Sequence, residues 1–462
     1  MLFFPDEELL RFFTPERIKA EFIKYELTKT DRITKKIDIP TGADGISYKA
    51  FKEDIEFRSN NIARRISNNT YQFYPYREIK IPKPDGGERV LSIASIRDVL
   101  VQRLLYEATY RHLERLFNKT LELNLASFAY RKGKSAPLAA KLIHRHIERG
   151  FCYALDADIV KFFDNISHDK LTAKVQDSFG LNTMTTSLLE RFFKTNGTSL
   201  KLKTPGRRRG NCHHRKPGVR SRRIGIPQGG VLSGMLANLY LHDFDKYIVE
   251  DLSKQYELKY VRYADDFIVL LRRGELLVDV HAIIGEKLSK LELELHKEPK
   301  TKHVYIQNKY LNFVGFAFST DCIEIQDKNV QKFKERISAK LFQESSYETG
   351  SNTLYRFKFL IKNVINRKVL GCGAELCNLC GGVNGDRARS WIGFFSVTTN
   401  VQQLYELDKW IRQSVSVYFY RKYGLRLKRS DFRNARLASL SQEFFRLKGV
   451  KKCECINSAE VI

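Results

Sequence analysis

Lys259-Tyr260-Val261-Arg262-Tyr263-Ala264-Asp265-Asp266-Phe267-Ile268-Val269-Leu270-Leu271 is the stretch that decides the fold. Two runs of strand-forming residues flank a pair of adjacent aspartates, which predicts a hairpin with both carboxylates at its tip. Like charges a few ångströms apart repel, and apolar flanks remove the water that would screen them. A divalent cation relieves that repulsion, and hard oxygen ligands suit Mg²⁺. An isolated Asp-Asp pair is ordinarily a solvated turn; here the apolar runs on both sides weigh against that reading. A third acid, Asp158, closes the site if its own strand lies beside the hairpin. That strand is predicted over Cys152–Val160, where Asp156 shares a face with Asp158 and is its rival.

Outward from the hairpin, the pattern is mixed. Tyr76–Pro82 alternates, Lys83-Pro84-Asp85-Gly86-Gly87 breaks the chain, and Arg89–Ile93 resumes it, so a second hairpin is expected. A helix follows over Asp98–Phe117. Gln228–Tyr247 reads as a loop entering a long helix. Leu404, Leu407, Ile411, Val415 and Tyr418 form one helical stripe that ends near Gly424. Residues 1–75 are helical and basic, and the chain becomes mostly helical again from about 325.

Composition narrows the function classes. With 80 Lys and Arg against 53 Asp and Glu, the net charge of +27 implies a polyanionic partner, nucleic acid first. No apolar run approaches the roughly 18 residues needed to cross a bilayer. The start, Met1-Leu2-Phe3-Phe4-Pro5-Asp6-Glu7-Glu8, does not read as a secretory signal. Eight cysteines in 462 residues are too sparse for a disulfide scaffold, which favours a reducing cytoplasm.

Tyr263-Ala264-Asp265-Asp266 resembles the Tyr-x-Asp-Asp box of reverse transcriptases, and the likeness extends along the chain. Thr41–Ser47 and Ile81–Arg89 resemble the N-terminal and fingers motifs of the group II intron lineage, and Ser127–Ala136 its next block. Asp158-Ile159-Val160-Lys161-Phe162-Phe163-Asp164-Asn165-Ile166 resembles the first catalytic motif, and Gly225-Ile226-Pro227-Gln228-Gly229-Gly230-Val231-Leu232-Ser233, continued by Leu236–Leu241, the template-and-nucleotide motif. Pro299–Lys302 and Asn312–Phe316 are similar to the closing palm motifs, and Trp391–Phe395 with Leu404–Arg412 to the thumb.

The resemblance implies an α+β right-hand polymerase: an N-terminal helical extension (1–75), fingers and palm on an antiparallel sheet (76–320), and a helical thumb with C-terminal region (321–462). It implies an RNA-directed DNA polymerase that joins dNTPs to a 3′-hydroxyl along an RNA template to make cDNA. Asp158, Asp265 and Asp266 would hold two Mg²⁺ ions, and Lys300 would protonate pyrophosphate. Lys83 and Arg89 would grip the triphosphate. Ile159, Phe163, Gln228 and Gly229 would line the nucleotide, with Phe163 excluding a 2′-hydroxyl. Arg131, Phe313 and Gly315 would touch nucleic acid.

Two regions lie outside those motifs. Residues 201–223 carry ten Lys and Arg and no acid, among them Arg207, Arg208, Arg209, Arg215, Lys216, Arg222 and Arg223. Such a loop predicts phosphate contacts whose strength falls with salt, and Cys212-His213-His214 within it reads as RNA contact. Cys372, Cys377 and Cys380 sit in a glycine-rich knuckle compatible with structural Zn²⁺, against the alternative of free thiols. Val160-Lys161 and Gly234 depart from the intron pattern, and no His-Asn-type endonuclease segment is evident after the thumb. By analogy these features favour a free-standing bacterial enzyme of antiphage defence, paired with a structured non-coding RNA. The rival readings are a maturase-type splicing helper and a protein-primed or template-independent polymerase.

Overall fold

The structure is a computed structural model that describes residues 4–30, 36–82, 86–198, 223–342, 352–366, 375–376, 383–384 and 390–449. Alternation over Tyr76–Pro82 (β1) and Glu88–Ile93 (β2) yields the expected hairpin, antiparallel from Arg77 opposite Ile93 to Pro82 opposite Glu88. Pro82 ends its strand, where a missing N–H costs little, and Gly86 takes the positive φ of 84° that the connection needs. The strand Tyr153–Asp158 (β3) is shorter at both ends than the sequence suggests, and Gly197–Thr198 (β4) pairs parallel to β1.

Lys259–Tyr263 (β5) and Asp266–Leu271 (β6) form the deciding hairpin, in register from Lys259 opposite Leu270 to Tyr263 opposite Asp266. With Lys302–Tyr305 (β7) they build a sheet of order β5-β6-β3-β7, so β3 does lie beside the Asp-Asp hairpin. Phe267 through Leu271 are all buried. That continuous apolar run marks a strand covered on both faces, and each such side chain contributes about 1.5–3 kcal/mol of burial.

The chain divides into two compact units, residues 1–134 with 155–303 and residues 135–154 with 304–462. In the first, the helix Ile96–Phe117 is capped by the Ser95 hydroxyl, which accepts from the Asp98 amide at 3.3 Å. Asp98 is buried yet fully engaged: it accepts from the Tyr71 hydroxyl at 2.6 Å, the Tyr74 amide at 2.9 Å and the Ser95 hydroxyl at 2.7 Å. Gly42 presses on this cap; a Cβ there would meet the Ser95 Cα at 2.4 Å. The helix Pro15–Lys29, with Thr14 as its N-cap, is tied to the long helix by the Arg103–Glu21 ion pair.

The expected long helix after Gln228 is broken. Ser233–Tyr240 and His242–Tyr247 are separate helices hinged at Leu241, whose ψ of 1° leaves the helical region, and a π-helical turn follows over Ile248–Leu252.

In the second unit, Leu311–Phe313 (β8), Phe316–Phe318 (β9) and Ile323–Ile325 (β10) form an antiparallel sheet of order β10-β9-β8. The helix Gln402–Tyr423 buries Leu404, Leu407, Ile411, Val415 and Phe419, and Gly424 stops it at φ 65°. The stripe thus ends on Phe419 rather than Tyr418, because the buried step from Val415 is four residues. No helix among the described residues is long and apolar enough to cross a membrane.

Candidate active site

Asp265 and Asp266 sit at the tip of the β5–β6 hairpin, on a strained turn. Ala264 and Asp265 form a two-residue connection, and Ala264 takes φ 64°, a left-handed conformation glycine usually supplies. Such outliers persist only where the surroundings hold them. Here the support is Arg262, whose side chain is completely buried. Its Nη1 donates to the Ala264 carbonyl at 3.0 Å and to Asn238 Oδ1 at 3.1 Å; Nε and Nη2 grip both oxygens of Asp245 at 2.8 and 2.5 Å. The Tyr260 hydroxyl donates to Asp245 as well, at 2.8 Å. Asn238 donates onward to the Ala129 carbonyl at 2.8 Å. The sequence does signal Arg262, a lone cation between apolar strand residues, but not its partners.

Asp158 meets this turn through the backbone: the Ile159 amide donates to the Asp265 carbonyl at 3.3 Å. The Thr301 hydroxyl, buried, accepts from the Asp158 amide at 3.4 Å, and the His296 amide donates to the Asp158 carbonyl at 2.8 Å. The Asp158 carboxylate faces the His296 imidazole, Nε2 at 3.7 Å, and the Lys300 ammonium, Nζ at 3.9 Å. The rival Asp156 pairs with Lys302 Nζ at 3.5 Å.

Among the described residues, no three His, Cys, Asp or Glu side chains are placed as a finished metal cluster. The donor chemistry nonetheless fits Mg²⁺. Asp158 and Asp265 lie on neighbouring backbone segments, Asp265 is half-buried and Asp266 exposed, and all are hard oxygen donors.

At Tyr263, next to the Ala264-Asp265 turn, opens a cleft of about 580 Å³ whose lining also includes Arg89, Phe163, Gln228 and Gly229. Phe163 follows a turn begun by Lys161 at φ 43°, and its carbonyl accepts from the Ile226 amide at 2.7 Å. Gly225 makes that approach achievable, since a Cβ there would meet the Asp164 carbonyl oxygen at 2.6 Å. Gln228 Nε2 donates to both Asp164 oxygens, at 3.2 and 3.3 Å, and its carbonyl accepts from the Ser92 amide at 2.9 Å. Gly229, at φ 99°, lies where a Cβ would come within 2.9 Å of Leu91 Cδ1. The Phe163 turn, the Gln228 loop and β2 are therefore stitched into one wall. Asp164 falls within the first catalytic motif, but its contact with Gln228 is not legible in the sequence. Burial raises the phenols of Tyr263 and Tyr130, and the nearby Asp265 charge raises Tyr130 further.

Several sequence expectations change. Arg131 is buried in the wall of the cleft, and its guanidinium is held by Glu114 at 3.0 Å, Asn118 at 2.7 Å and the Ser127 carbonyl at 2.9 Å. Phe313 is buried in β8, and Gly315 occupies the β8–β9 turn at φ 95° with its carbonyl accepting from Asn329 at 3.1 Å. Phe313 serves the packing of that sheet, because an aromatic closed off from solvent has no face for a base. Ile159 is also buried, which leaves its backbone as the part that serves the site. Lys83, Arg207, Arg208, Arg209, Arg215, Lys216, Arg222, Cys372, Cys377 and Cys380 lie outside the described residues. Arg223 is exposed.

An α+β chain with aspartates on neighbouring sheet segments beside a nucleotide-sized cleft has the architecture of a right-hand nucleic-acid polymerase. It belongs to the reverse transcriptase (RNA-dependent DNA polymerase) family, whose profile matches residues 81–318. A 91 kDa protein encoded in a cob intron of Schizosaccharomyces pombe is 31% identical over 207 residues, 43% of this chain and 22% of that protein. The group II intron-encoded protein LtrA of Lactococcus lactis subsp. cremoris is 26% identical over 337 residues, 68% of this chain and 50% of LtrA. The chain thus spans half or less of these relatives. The solved apo telomerase of Candida tropicalis has a TM-score of 0.43 at 13% identity, covering 87% of this chain and 68% of that one.

Proposed function

We propose that the protein is an RNA-directed DNA polymerase that extends a 3′-hydroxyl with deoxynucleotides along an RNA template. The observation that carries this reading is the backbone bond from Ile159, the residue after Asp158, to the Asp265 turn, with Tyr263 of the same hairpin lining a cleft walled by Phe163 and Gln228. Asp158, Asp265 and Asp266 would hold two Mg²⁺ ions. When bound, these would supply Lewis-acid stabilisation of charge on the attacking and departing oxygens.

The protein's own groups have separable parts. Arg89, exposed at the cleft, offers a guanidinium to the triphosphate. Phe163 presents a half-buried ring against the sugar and leaves little room for a 2′-hydroxyl. Gln228, fixed by Asp164, sets the floor under the nascent pair. Lys300, half-exposed beside Asp158, is within reach of a leaving pyrophosphate as proton donor. The basic segment 201–223 would add phosphate affinity to the RNA template and cDNA product. A structured RNA as natural template, and a role in antiphage defence, rest on the departures at Val160-Lys161 and Gly234 from the intron pattern.

Incorporation of labelled dNTP on a primed RNA, compared with Asp265→Ala/Asp266→Ala, tests the reading. Activity is expected only in the wild type; equal incorporation by both would refute it. A splicing helper would instead accelerate intron splicing with both acids replaced.

A further inference from the structure

Tyr130 is placed against its own convenience. Its ring is half-exposed on the wall of the cleft, and its backbone is left-handed at φ 59°, a conformation rare for so bulky a residue. A tyrosine serving only as core would be buried and unstrained. The ring rests directly on Gly234: a Cβ there would meet Tyr130 Cγ at 2.2 Å and Cδ1 at 2.5 Å. Gly234 lies in the helix Ser233–Tyr240, where glycine is otherwise unfavourable. The missing side chain is therefore what gives the ring its seat. Phe163 meets Tyr130 edge-on, with centroids 6.1 Å apart and planes at 89°. The two rings form a right-angled corner open to the cleft, with Arg89 and Gln228 among its other walls.

We infer that Tyr130 is a nucleotide-binding residue: with Phe163 it forms an aromatic corner that receives the nucleoside part of the incoming deoxynucleotide, and Gly234 seats it. A planar base or a sugar face packs on such a corner. The inference rests on the polymerase reading.

Single-nucleotide incorporation on a primed RNA, with kcat and KM read separately, tests it. Tyr130→Ala is expected to raise the KM for dNTP about tenfold, the order expected for loss of one base–aromatic contact, with a smaller change in kcat. Tyr130→Phe, which keeps the ring, should restore KM to within about threefold of wild type. Gly234→Ala should reproduce the Tyr130→Ala defect, because the new Cβ displaces the ring. The double variant should then be no worse than Tyr130→Ala alone. If Tyr130→Ala does not fold, Tyr130→Leu keeps apolar bulk without the ring and is expected to raise KM likewise. An unchanged KM in whichever of these two variants folds, or a double variant showing the sum of both defects, overturns the inference while leaving the polymerase reading intact. A wild type that incorporates no nucleotide overturns both.

Discussion

Replacing Arg262 with methionine should cost both stability and activity, and the two losses should separate. Arg262 is wholly buried and Asp245 nearly so. Methionine fills much of the arginine volume but leaves the Asp245 carboxylate to the Tyr260 hydroxyl, which still donates to it. Removing one partner of a buried ion pair typically costs about 3–5 kcal/mol, because the remaining charge stays desolvated. Removing both, as Arg262→Met/Asp245→Leu, should recover most of that loss, since the apolar pair no longer buries a charge. Activity should behave differently. The Ala264 carbonyl loses its Nη1 donor in either variant, so nothing from that side holds the strained turn. Turnover per folded molecule should fall about tenfold or more, equivalent to 1.4 kcal/mol of barrier, in both the single and the double variant. Urea titration and primer extension on the same preparations measure the two quantities. A double variant as unstable as the single one, or a single variant with wild-type turnover, would refute the reasoning.

Asp44 gives a pH prediction. Burial, with the Asp98 charge adding to it, raises its carboxyl from 3.8 to about 6, and its Oδ2 is buried with no hydrogen-bond partner among the described residues. The neutral form therefore favours folding: that contribution is full below pH 3.8 and lost as pH rises through about 6. Asp44→Asn should accordingly stabilise the protein by up to about 3 kcal/mol above pH 7, with the gain vanishing below pH 4, as read by denaturant midpoints across pH. Gly42→Ala should destabilise by about 1–3 kcal/mol in the same assay, because its Cβ collides with the Ser95 backbone that begins the long helix.

How far the sequence carried the account depends on whether a feature is periodic or spatial. The β5–β6 hairpin, the β1–β2 hairpin and the helix ending at Gly424 are written in local alternation, helical spacing and turn residues. The break at Leu241 has no such signature, since apolar residues continue on both sides of it. Arg262 needs Asp245, seventeen positions back on a helix, before its burial makes sense. Arg131 and Phe313 carry side chains that nucleic acid commonly meets, yet the fold turns both inward. Gly234 reads in one dimension as a poor helix residue; only the ring of Tyr130 above it supplies the reason.

The central claim, that Asp158 and the Asp265-Asp266 turn share one divalent-cation site, is tested most directly by replacing Mg²⁺ with Fe²⁺ and ascorbate and mapping where hydroxyl radicals cut the chain. Cleavage is expected near both Asp158 and Asp265, suppressed by excess Mg²⁺ and absent in Asp158→Asn and Asp265→Asn. Cleavage at one segment alone, or at neither, would contradict the account.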